Sequence, residues 1–386
     1  MEQGRIAERQ FTILVVMFII GSSILLIPAA IAIHAKQDAW LSAIIGVVEG
    51  LAIIGLLHLV GKELPSPLLV ESFKLLLGKW IGTLVSILFV LHAFFLTVFM
   101  IRYIGDFMAT QIMPETPVEA IHIVFILLVI LASRYGLETL ARSAEVFLPW
   151  VLLFVIVLSL FVLPQLNGQN LLPVIKDGMS PVLKGTLPLL GIPFLELVLF
   201  LMLYPNVDGG RRRGRAFMIG GAIGGLLIIV ITFMTIAVLG PYLTVRNIYP
   251  SFALTKQINI GQFLQRIEAL LAITWFLTIF YKTTVCFHVS ALGIAQVLKL
   301  KSYKTVVLPL GFLIVVYASI VYPNIVYGNQ FAGMIWTPYA SVPGLALPLI
   351  LLAVIALRKK VRGRRGGKTE SGKNAGDQGR ANPNSL

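Results

Sequence analysis

Charged residues are scarce in this chain, and acidic residues are the scarcest. Only 12% of its 386 residues are charged, 17 acidic against 31 basic, whereas soluble domains carry about 25%. Apolar residues make up 58% of the chain, and the mean hydropathy is +0.91. So little charge is not enough to cover the surface of a soluble globule. An all-α integral membrane protein is predicted, because the apolar runs are about 20 residues long rather than alternating segments of about ten.

Cysteine and catalytic motifs are also nearly absent. The single cysteine, Cys286, excludes an internal disulfide and is typical of a small packing residue in an apolar helix. The histidines within apolar segments lie on different segments, without the spacing of metal ligands. No phosphate-binding glycine loop, nucleophile elbow or HExxH motif is present. We therefore predict no enzyme activity, no bound metal and no cofactor.

The placement of the basic residues predicts the orientation of the chain. Arginine and lysine lie mainly in loops and the tail rather than among stacking aromatics, which argues against a nucleic-acid partner. One side carries 23 of the 31 basic residues and the other only six. Because cytoplasmic loops are enriched in lysine and arginine, both termini are predicted to be cytoplasmic.

Ten apolar segments predict ten membrane-spanning helices within a membrane domain over residues 1–357. They cover about 11–33, 40–60, 81–105, 117–133, 146–163, 184–204, 216–240, 264–297, 304–322 and 341–357. Residues 358–386 are basic and almost free of apolar residues, which predicts a disordered cytoplasmic tail. Ten spans divide into two halves of five, about 11–163 and 184–357. An odd number per half makes the second half enter from the opposite face, as in an inverted repeat.

Two of these segments contain helix-breaking residues at matching places in the two halves. The first carries Gly21, Ser22, Ser23 and Pro28, and the second carries Pro188, Gly191 and Pro193. A break inside the bilayer survives only where protein, ligand or water satisfies the freed peptide groups. Paired breaks of this kind are typical of a transporter binding site at the midplane. The first and sixth predicted spans, 11–33 and 184–204, which we call helix 1 and helix 6, are therefore predicted to be discontinuous. A proline kink is the alternative interpretation of the first.

Electrostatics predicts which ligand such breaks attract. Free N–H groups near Gly21, Ser22 and Ser23 attract a carboxylate, and carbonyls around Gly191 to Phe194 attract an ammonium. Phe194 and Trp275 are predicted to bound the pocket for the ligand's side chain. This pattern favours a small zwitterion, most simply an amino acid.

Two ionisable residues inside the spans are functional candidates, because charge within a membrane is costly. Glu196 lies just past the second break, where a carboxylate pairs with a substrate amine. Lys282, followed by Thr283, lies near the centre of its span, and we predict that its ammonium takes the place of a coupling cation. The alternative is a salt bridge to Glu49, Glu196 or Glu268 that only fixes packing.

Arg102 and Asp106 are spaced one helical turn apart on the third span. This spacing predicts an ion pair on the helix surface.

The chain contains, in order, the stretches RIAERQFTILVVMFIIGSSILLIP, AKQDAWLSAIIGVVEGL, PFLELVLFLMLYP, LGPYL, YPSF and QRIEALLAITWFLTIFYK. Together these stretches resemble the permease-like B subunits of spore germinant receptors, a family of the amino acid–polyamine–organocation superfamily. The resemblance implies a ten-helix inverted repeat in the spore inner membrane, acting with a larger A subunit and a lipoprotein C subunit. It also implies that nutrient binding triggers ion release and germination.

By this resemblance, the ligand site comprises Gly21, Ser22, Ser23, Gly191, Pro193, Phe194, Glu196, Trp275, Lys282 and Thr283. Leu195 stands where the family pattern has glycine. We expect a receptor subunit that binds a small nutrient. An autonomous amino-acid permease coupled to protons or cations is the alternative, and a scaffold without ligand binding is a third possibility.

Overall fold

The computed structural model describes residues 4–256 and 268–360 of the chain. These residues form helices joined by short turns, with one isolated β-bridge between Ile6 and Val207. In chain order the α-helices are α1 Glu8–Ala35, α2 Ala39–Glu63, α3 Leu69–Leu77, α4 Lys79–Phe107, α5 Val118–Tyr135, α6 Leu137–Val162, α7 Met179–Leu189, α8 Phe200–Leu203, α9 Arg213–Arg246, α10 Pro250–Lys256, α11 Glu268–Val297, α12 Lys304–Ile320, α13 Ile325–Met334 and α14 Trp336–Ser341.

Long apolar helices make this a multi-pass membrane protein, as predicted. Within the described ranges, eight helical stretches are long and apolar enough to cross a bilayer, and α12 with α13, bent by 99°, adds a ninth. The first stretch, Glu8–Glu63, contains both α1 and α2, of 28 and 25 residues. At about 1.5 Å per residue, each of these two helices exceeds a hydrocarbon core of about 30 Å.

The predicted break in helix 1 is wrong, because α1 is helical without interruption from Glu8 to Ala35. Gly21 serves close packing instead. A Cβ atom at Gly21 would lie 2.8 Å from Lys282 Cβ and 3.1 Å from the Thr278 carbonyl oxygen. The absence of a side chain at Gly21 therefore lets α11 cross α1 closely at this point.

Pro28 also stays inside α1, and the carbonyl it frees has a partner elsewhere. A proline has no N–H to donate to the carbonyl four residues earlier, here that of Ile24. The hydroxyl of Ser251 on α10 donates to the Ile24 carbonyl oxygen at 2.6 Å. A side chain from the second half of the chain thus completes the first helix.

Replacing Ser251 with alanine is expected to destabilise the protein by about 1–3 kcal/mol, because the buried Ile24 carbonyl loses its partner. Adding Pro28→Ala restores a backbone N–H and should recover most of this loss. Chemical unfolding in detergent micelles measures both variants. A double variant no more stable than Ser251→Ala alone would show that the two residues are not linked in this way.

The second predicted interruption is present, as a change of helix type rather than an unwound stretch. Helix 6 consists of α7, two irregular turns and α8. Residues Leu190–Phe194 form a π-helical turn, and residues Leu195–Leu199 form a 3-10 turn that leads into α8. We call Leu190–Leu199 the helix-6 junction. Pro188 and Pro193 donate no N–H, so the regular backbone hydrogen bonding of an α-helix cannot continue through this region. A side chain of α14 also bonds to the backbone here, since Thr337 Oγ1 donates to the Leu187 carbonyl oxygen at 3.0 Å.

Polar contacts near the start of helix 6 tie it to the turn between α1 and α2. Asp38 Oδ1 accepts from the backbone N–H of Ile175 at 3.0 Å, and Lys36 Nζ donates to Asp177 Oδ2 at 2.9 Å. The hydrogen bond from Lys36 lowers the pKa of the Asp177 carboxyl from its usual value. These contacts hold the first and sixth helices side by side.

α1 is the central helix of the bundle and is buried along nearly its whole length. It packs against α9, α11, α7, α6 and α2. Gly220 and Gly224 of α9 lie against Val15 and Ile19 of α1, where a Cβ at either glycine would come within 3 Å of a side chain. Residues 191–199 of the helix-6 junction are also buried, so α1 and the junction meet inside the core.

The C-terminal helical stretch, Trp336–Lys360, extends three residues beyond the predicted end of the membrane domain at 357. Arg358 Nη2 donates to the Leu76 carbonyl oxygen at 3.0 Å, and Lys359 Nζ lies 2.6 Å from Glu63 Oε2. These contacts explain why the helix continues into the basic segment. The predicted disorder of the remaining tail, 361–386, lies outside the described residues.

Candidate ligand-binding site beside a buried ion pair

Lys282 of α11 and Glu196 of the helix-6 junction form an ion pair in the core. Lys282 Nζ lies 2.6 Å from Glu196 Oε2, and the two side chains are 0% and 1% exposed. An isolated charge in a low-dielectric interior costs several kcal/mol, which a close opposite charge offsets. Glu196 is therefore the partner of Lys282 among the three carboxylates considered from the sequence.

The Lys282 ammonium also reaches α1. It donates to Ser22 Oγ at 2.6 Å and to the Ile192 carbonyl oxygen at 3.3 Å, and it lies 4.9 Å from the centroid of the Phe18 ring. Ser22 and Ile192 thus accept hydrogen bonds from the ammonium, and Glu196 supplies its counter-charge. The carbonyl that accepts from Lys282 belongs to Ile192 of the helix-6 junction, and helix 1 contributes the Ser22 hydroxyl instead of a freed carbonyl. One cation joins α1, helix 6 and α11.

The second oxygen of Glu196 connects the pair to α14. Trp336 Nε1 donates to Glu196 Oε1 at 2.8 Å. The Trp336 ring stacks on His92 of α4, with ring centroids 6.1 Å apart and planes 20° apart. His92 Nδ1 in turn lies 3.3 Å from the Tyr339 hydroxyl. Both carboxylate oxygens are therefore held by side chains from different helices.

A small cavity lies beside Glu196 and Trp336, with a volume of about 60 Å³. Its walls come from α1, α4, the helix-6 junction, the end of α12, α13 and α14. The lining residues are Leu26, Phe99, Met100, Tyr103, Ile192, Glu196, Tyr322, Gly328, Asn329, Phe331, Ala332 and Trp336. On α1, Leu26 lies beyond Ser22 in the direction of the C-terminal end. The cavity therefore lies on the side of the ion pair away from the face where α1 begins, which we call the N-terminal face.

A layer of aromatic rings fills the other side of the ion pair, toward the N-terminal face. Its members are Phe11, Phe18, Phe200, Tyr204 and Phe217, all at most 1% exposed. Neighbouring rings in this layer have centroids 5.2–6.2 Å apart. This layer closes the core between the ion pair and the N-terminal face.

Above the cavity, a second ion pair fixes the bend between α12 and α13. Arg102 Nε donates to Asp106 Oδ1 at 3.0 Å, and Arg102 Nη1 donates to the carbonyl oxygens of Ala318 and Ser319. Tyr322 donates to Asp106 Oδ2 at 2.7 Å, and its ring centroid lies 4.6 Å from the guanidinium carbon. The predicted ion pair one turn apart is confirmed, but it is buried instead of lying on the exposed surface. We call these three side chains, of Arg102, Asp106 and Tyr322, the α12 latch.

The structure brings together three of the ten predicted site residues, Ser22, Glu196 and Lys282. Gly21 lies behind the Lys282 side chain and gives it space. Pro193 and Gly191 belong to the π-helical turn, where a Cβ at Gly191 would clash with Thr337.

The remaining predicted residues point elsewhere or pair locally. The Phe194 ring lies against Gly50 of α2, and Trp275 packs on Phe107 with centroids 4.5 Å apart. Thr283 donates to the Ile279 carbonyl oxygen of its own helix. The hydroxyl of Ser23 is buried without a hydrogen-bond partner among the described residues. Phe194 and Trp275 do not line the cavity found beside Glu196.

Sequence reasoning missed most of the cavity walls. Phe99, Met100 and Tyr103 belong to an apolar helix that carried no mark of function. The predicted spans 304–322 and 341–357 leave residues 323–340 between them, although Pro323 follows Tyr322 directly and glycines are present at 328 and 333. A ten-residue helix such as α13 is too short to be detected as a span.

Solved structures define the fold class. The structure of MhsT in complex with L-phenylalanine superposes with a TM-score of 0.68 at 14% identity, covering 92% of this chain and 99% of that chain. Mhp1, a nucleobase-cation-symport-1 family transporter with bromovinylhydantoin bound, gives a TM-score of 0.58 at 9% identity, covering 88% and 77%. The protein is thus a multi-pass membrane protein with a transporter fold.

Sequence comparison gives the family, and it confirms the resemblance stated above. Residues 5–325 match the family model described as spore germination protein, so the chain belongs to this family. It is 29% identical over 367 residues to spore germination protein KB of Bacillus subtilis (strain 168), covering 94% of this chain and 97% of that protein. Spore germination protein YndE of the same organism is 24% identical over 359 residues, covering 92% and 98%.

Proposed function

We propose that this protein is a nutrient-binding subunit of a spore germinant receptor, and that it binds a small nutrient, an amino acid, beside Glu196. The observation that carries the proposal is the cavity bordered by a fully buried ion pair. A ligand that contacts Glu196 also affects Lys282, which is bonded to helices 1 and 6. Ligand binding can therefore shift these helices and trigger ion release and germination. No catalytic step is part of this function.

The chemistry of the cavity supports a small ligand with both polar and apolar parts. Its walls are mainly apolar and aromatic, while Glu196, Asn329 and Tyr103 supply polar atoms. The Tyr103 hydroxyl is buried and has no hydrogen-bond partner within the described part of the chain. A water occupies at least about 10–15 Å³ on this scale, so about 60 Å³ suits a molecule as small as an amino acid. The complex of MhsT with L-phenylalanine adds support.

Within this proposal, the ten predicted residues act at different distances from the ligand. Glu196 contacts the ligand. Lys282 balances the charge of Glu196, and Ser22 holds the Lys282 ammonium in position. Gly191 and Pro193 shape the turn that presents the Ile192 carbonyl, while Gly21 gives room for Lys282. The rest, Ser23, Phe194, Trp275 and Thr283, hold the surrounding helices in place.

Lys282 supports a sensor rather than an ion-coupled transporter. Its ammonium, which we propose takes the place of a coupling cation, is covalently tethered to α11. A tethered cation balances the charge of Glu196 without crossing the membrane.

The proposed topology is ten crossings in two inverted halves of five, with both termini cytoplasmic. It rests on counting α1 and α2 separately and on the excess of basic residues on one side. The proposed location is the spore inner membrane, and the proposed partners are an A subunit and a lipoprotein C subunit. These follow from membership of the family.

A thermal-shift screen of small amino acids and sugars against the purified protein tests the proposal. A ligand at 100 times its Kd should add about 2.7 kcal/mol of stability. Ala332→Phe fills the cavity and is expected to abolish the shift. Met334→Phe, at a 76% exposed position on the same helix, should leave it unchanged. Failure of every compound to shift the unfolding midpoint would favour the scaffold instead.

An autonomous permease coupled to protons or cations is the second candidate, favoured by the transporter fold shared with MhsT and Mhp1. Concentrative uptake of a labelled amino acid by this chain alone in liposomes would support the permease. Binding without uptake would support the sensor.

A further inference from the structure

A groove of about 560 Å³ opens at the N-terminal face, far from the cavity beside Glu196. Its floor is the start of α1, and its sides are α6 and α9. The lining residues are Glu8, Arg9, Thr12, Ile13, Glu145, Leu148, Pro149, Arg212, Arg215, Ala216, Ile219 and Ile223. None of them belongs to the proposed ligand site.

The rim of the groove carries two arginines that lack acidic partners. Arg9 lies 3.7 Å from Glu145, which also accepts a hydrogen bond from Gln10. Arg212 and Arg215 are exposed, and neither forms an ion pair with a described residue. The other carboxylate, of Glu8, lies against the backbone of Gly209 in the first turn of α1. The guanidinium groups of Arg212 and Arg215 are therefore available to contact an anionic ligand.

Below this rim the groove is apolar. Ile219 and Ile223 follow Arg215 by one and two turns on the same face of α9, and they are 41% and 37% exposed. Ile13 of α1 and Leu148 of α6 complete the apolar wall. A free phosphate ion makes no use of such a wall, whereas a lipid places its headgroup at the rim and an acyl chain below.

We propose that this groove binds a phospholipid with an anionic headgroup, whose phosphate contacts Arg212 and Arg215 and whose acyl chain lies between α6 and α9. Basic pockets between helices at the cytoplasmic interface are known to take anionic lipid headgroups. The Thr12 hydroxyl donates to the Ala216 carbonyl oxygen at 3.1 Å, so the floor and one wall are joined. A lipid in the groove thus contacts the same helix that presents Ser22 to Lys282. The inference is independent of the proposed nutrient binding.

The test is binding of phosphatidylglycerol and phosphatidylcholine to the purified full-length protein, by native mass spectrometry and by thermal shift. Phosphatidylglycerol is expected to bind more tightly. Because a basic residue near the surface contributes about fivefold, the double variant Arg212→Gln/Arg215→Gln should bind it roughly 30-fold more weakly. Ile223→Trp, which fills the apolar part, should also weaken binding.

The matched control is Arg134→Gln/Lys304→Gln, which removes two exposed basic residues that do not line the groove. It should bind phosphatidylglycerol as the parent does. An equal loss in this control would reduce the effect to overall charge and overturn the proposal. Competition by inorganic phosphate, or equal binding of phosphatidylcholine, would overturn it as well.

Discussion

Replacing Lys282 with methionine is expected to destabilise the protein by about 3–5 kcal/mol, because the buried Glu196 carboxylate loses its counter-charge. Ser22 and the Ile192 carbonyl lose their donor at the same time. The amount of folded protein in the membrane and chemical unfolding in micelles measure the effect.

A second substitution separates folding from function. In Lys282→Met/Glu196→Gln both charges are gone, so most of the lost stability should return. Because Glu196 itself contacts the ligand in the proposed site, the ligand response of this folded double variant is compared with that of Glu196→Gln alone. If Lys282 replaces a coupling cation, the double variant should respond less than Glu196→Gln. Normal assembly with an unchanged ligand response would contradict the role proposed for Lys282.

Replacing Asp106 with alanine is expected to destabilise the protein by about 3–5 kcal/mol, because Arg102 is left as a buried charge without its partner. Tyr322 also loses its acceptor, so α13 loosens and ligand affinity falls. The milder Tyr322→Phe removes one hydrogen bond and should cost about 0.5–1.5 kcal/mol. Unfolding and ligand titration, measured on the same samples, check both variants.

An exposed ion pair of the same spacing provides the control for the α12 latch. Arg142 and Glu138 are also one turn apart, but their side chains are 69% and 43% exposed. Exposed pairs on helices contribute only about 0.3–0.5 kcal/mol, so Arg142→Gln should change little. Equal effects of Asp106→Ala and Arg142→Gln would show that burial of the latch is unimportant.

Much of the fold was predictable from the sequence, since long apolar segments and few charges specify membrane helices directly. The interruption of helix 6 was also predictable, because Pro188, Gly191 and Pro193 lie within six residues and cannot maintain one regular helix. Lys282 and Glu196 could be identified from the sequence because a charged residue inside a membrane span is costly and therefore usually functional.

The error at helix 1 has a physical cause. A glycine within an apolar span is typical both of a break and of a close helix contact. Which of these applies to Gly21 depends on Lys282 and Thr278, far away in the sequence. Likewise, Pro28 is tolerated because Ser251 satisfies Ile24, a contact that no local pattern reveals.

The cavity was missed for a related reason. Phe99, Met100 and Tyr103 resemble lipid-facing residues until α13 is placed above them. Neighbouring ends of α4 and α12 also bury Arg102 and Asp106, whose spacing alone suggests a surface pair. Tertiary packing, rather than local preference, decides these positions.

The most direct test of the site is the reactivity of a cysteine introduced at Ala332, with and without the nutrient found in the thermal-shift screen. The native Cys286 is fully buried, so it gives little background. Ligand should slow labelling of Ala332→Cys by a small charged thiol reagent at least about tenfold, a change of 1.4 kcal/mol, while labelling of Met334→Cys stays the same. Equal rates at Ala332→Cys with and without bound ligand would place the ligand elsewhere and contradict the site beside Glu196.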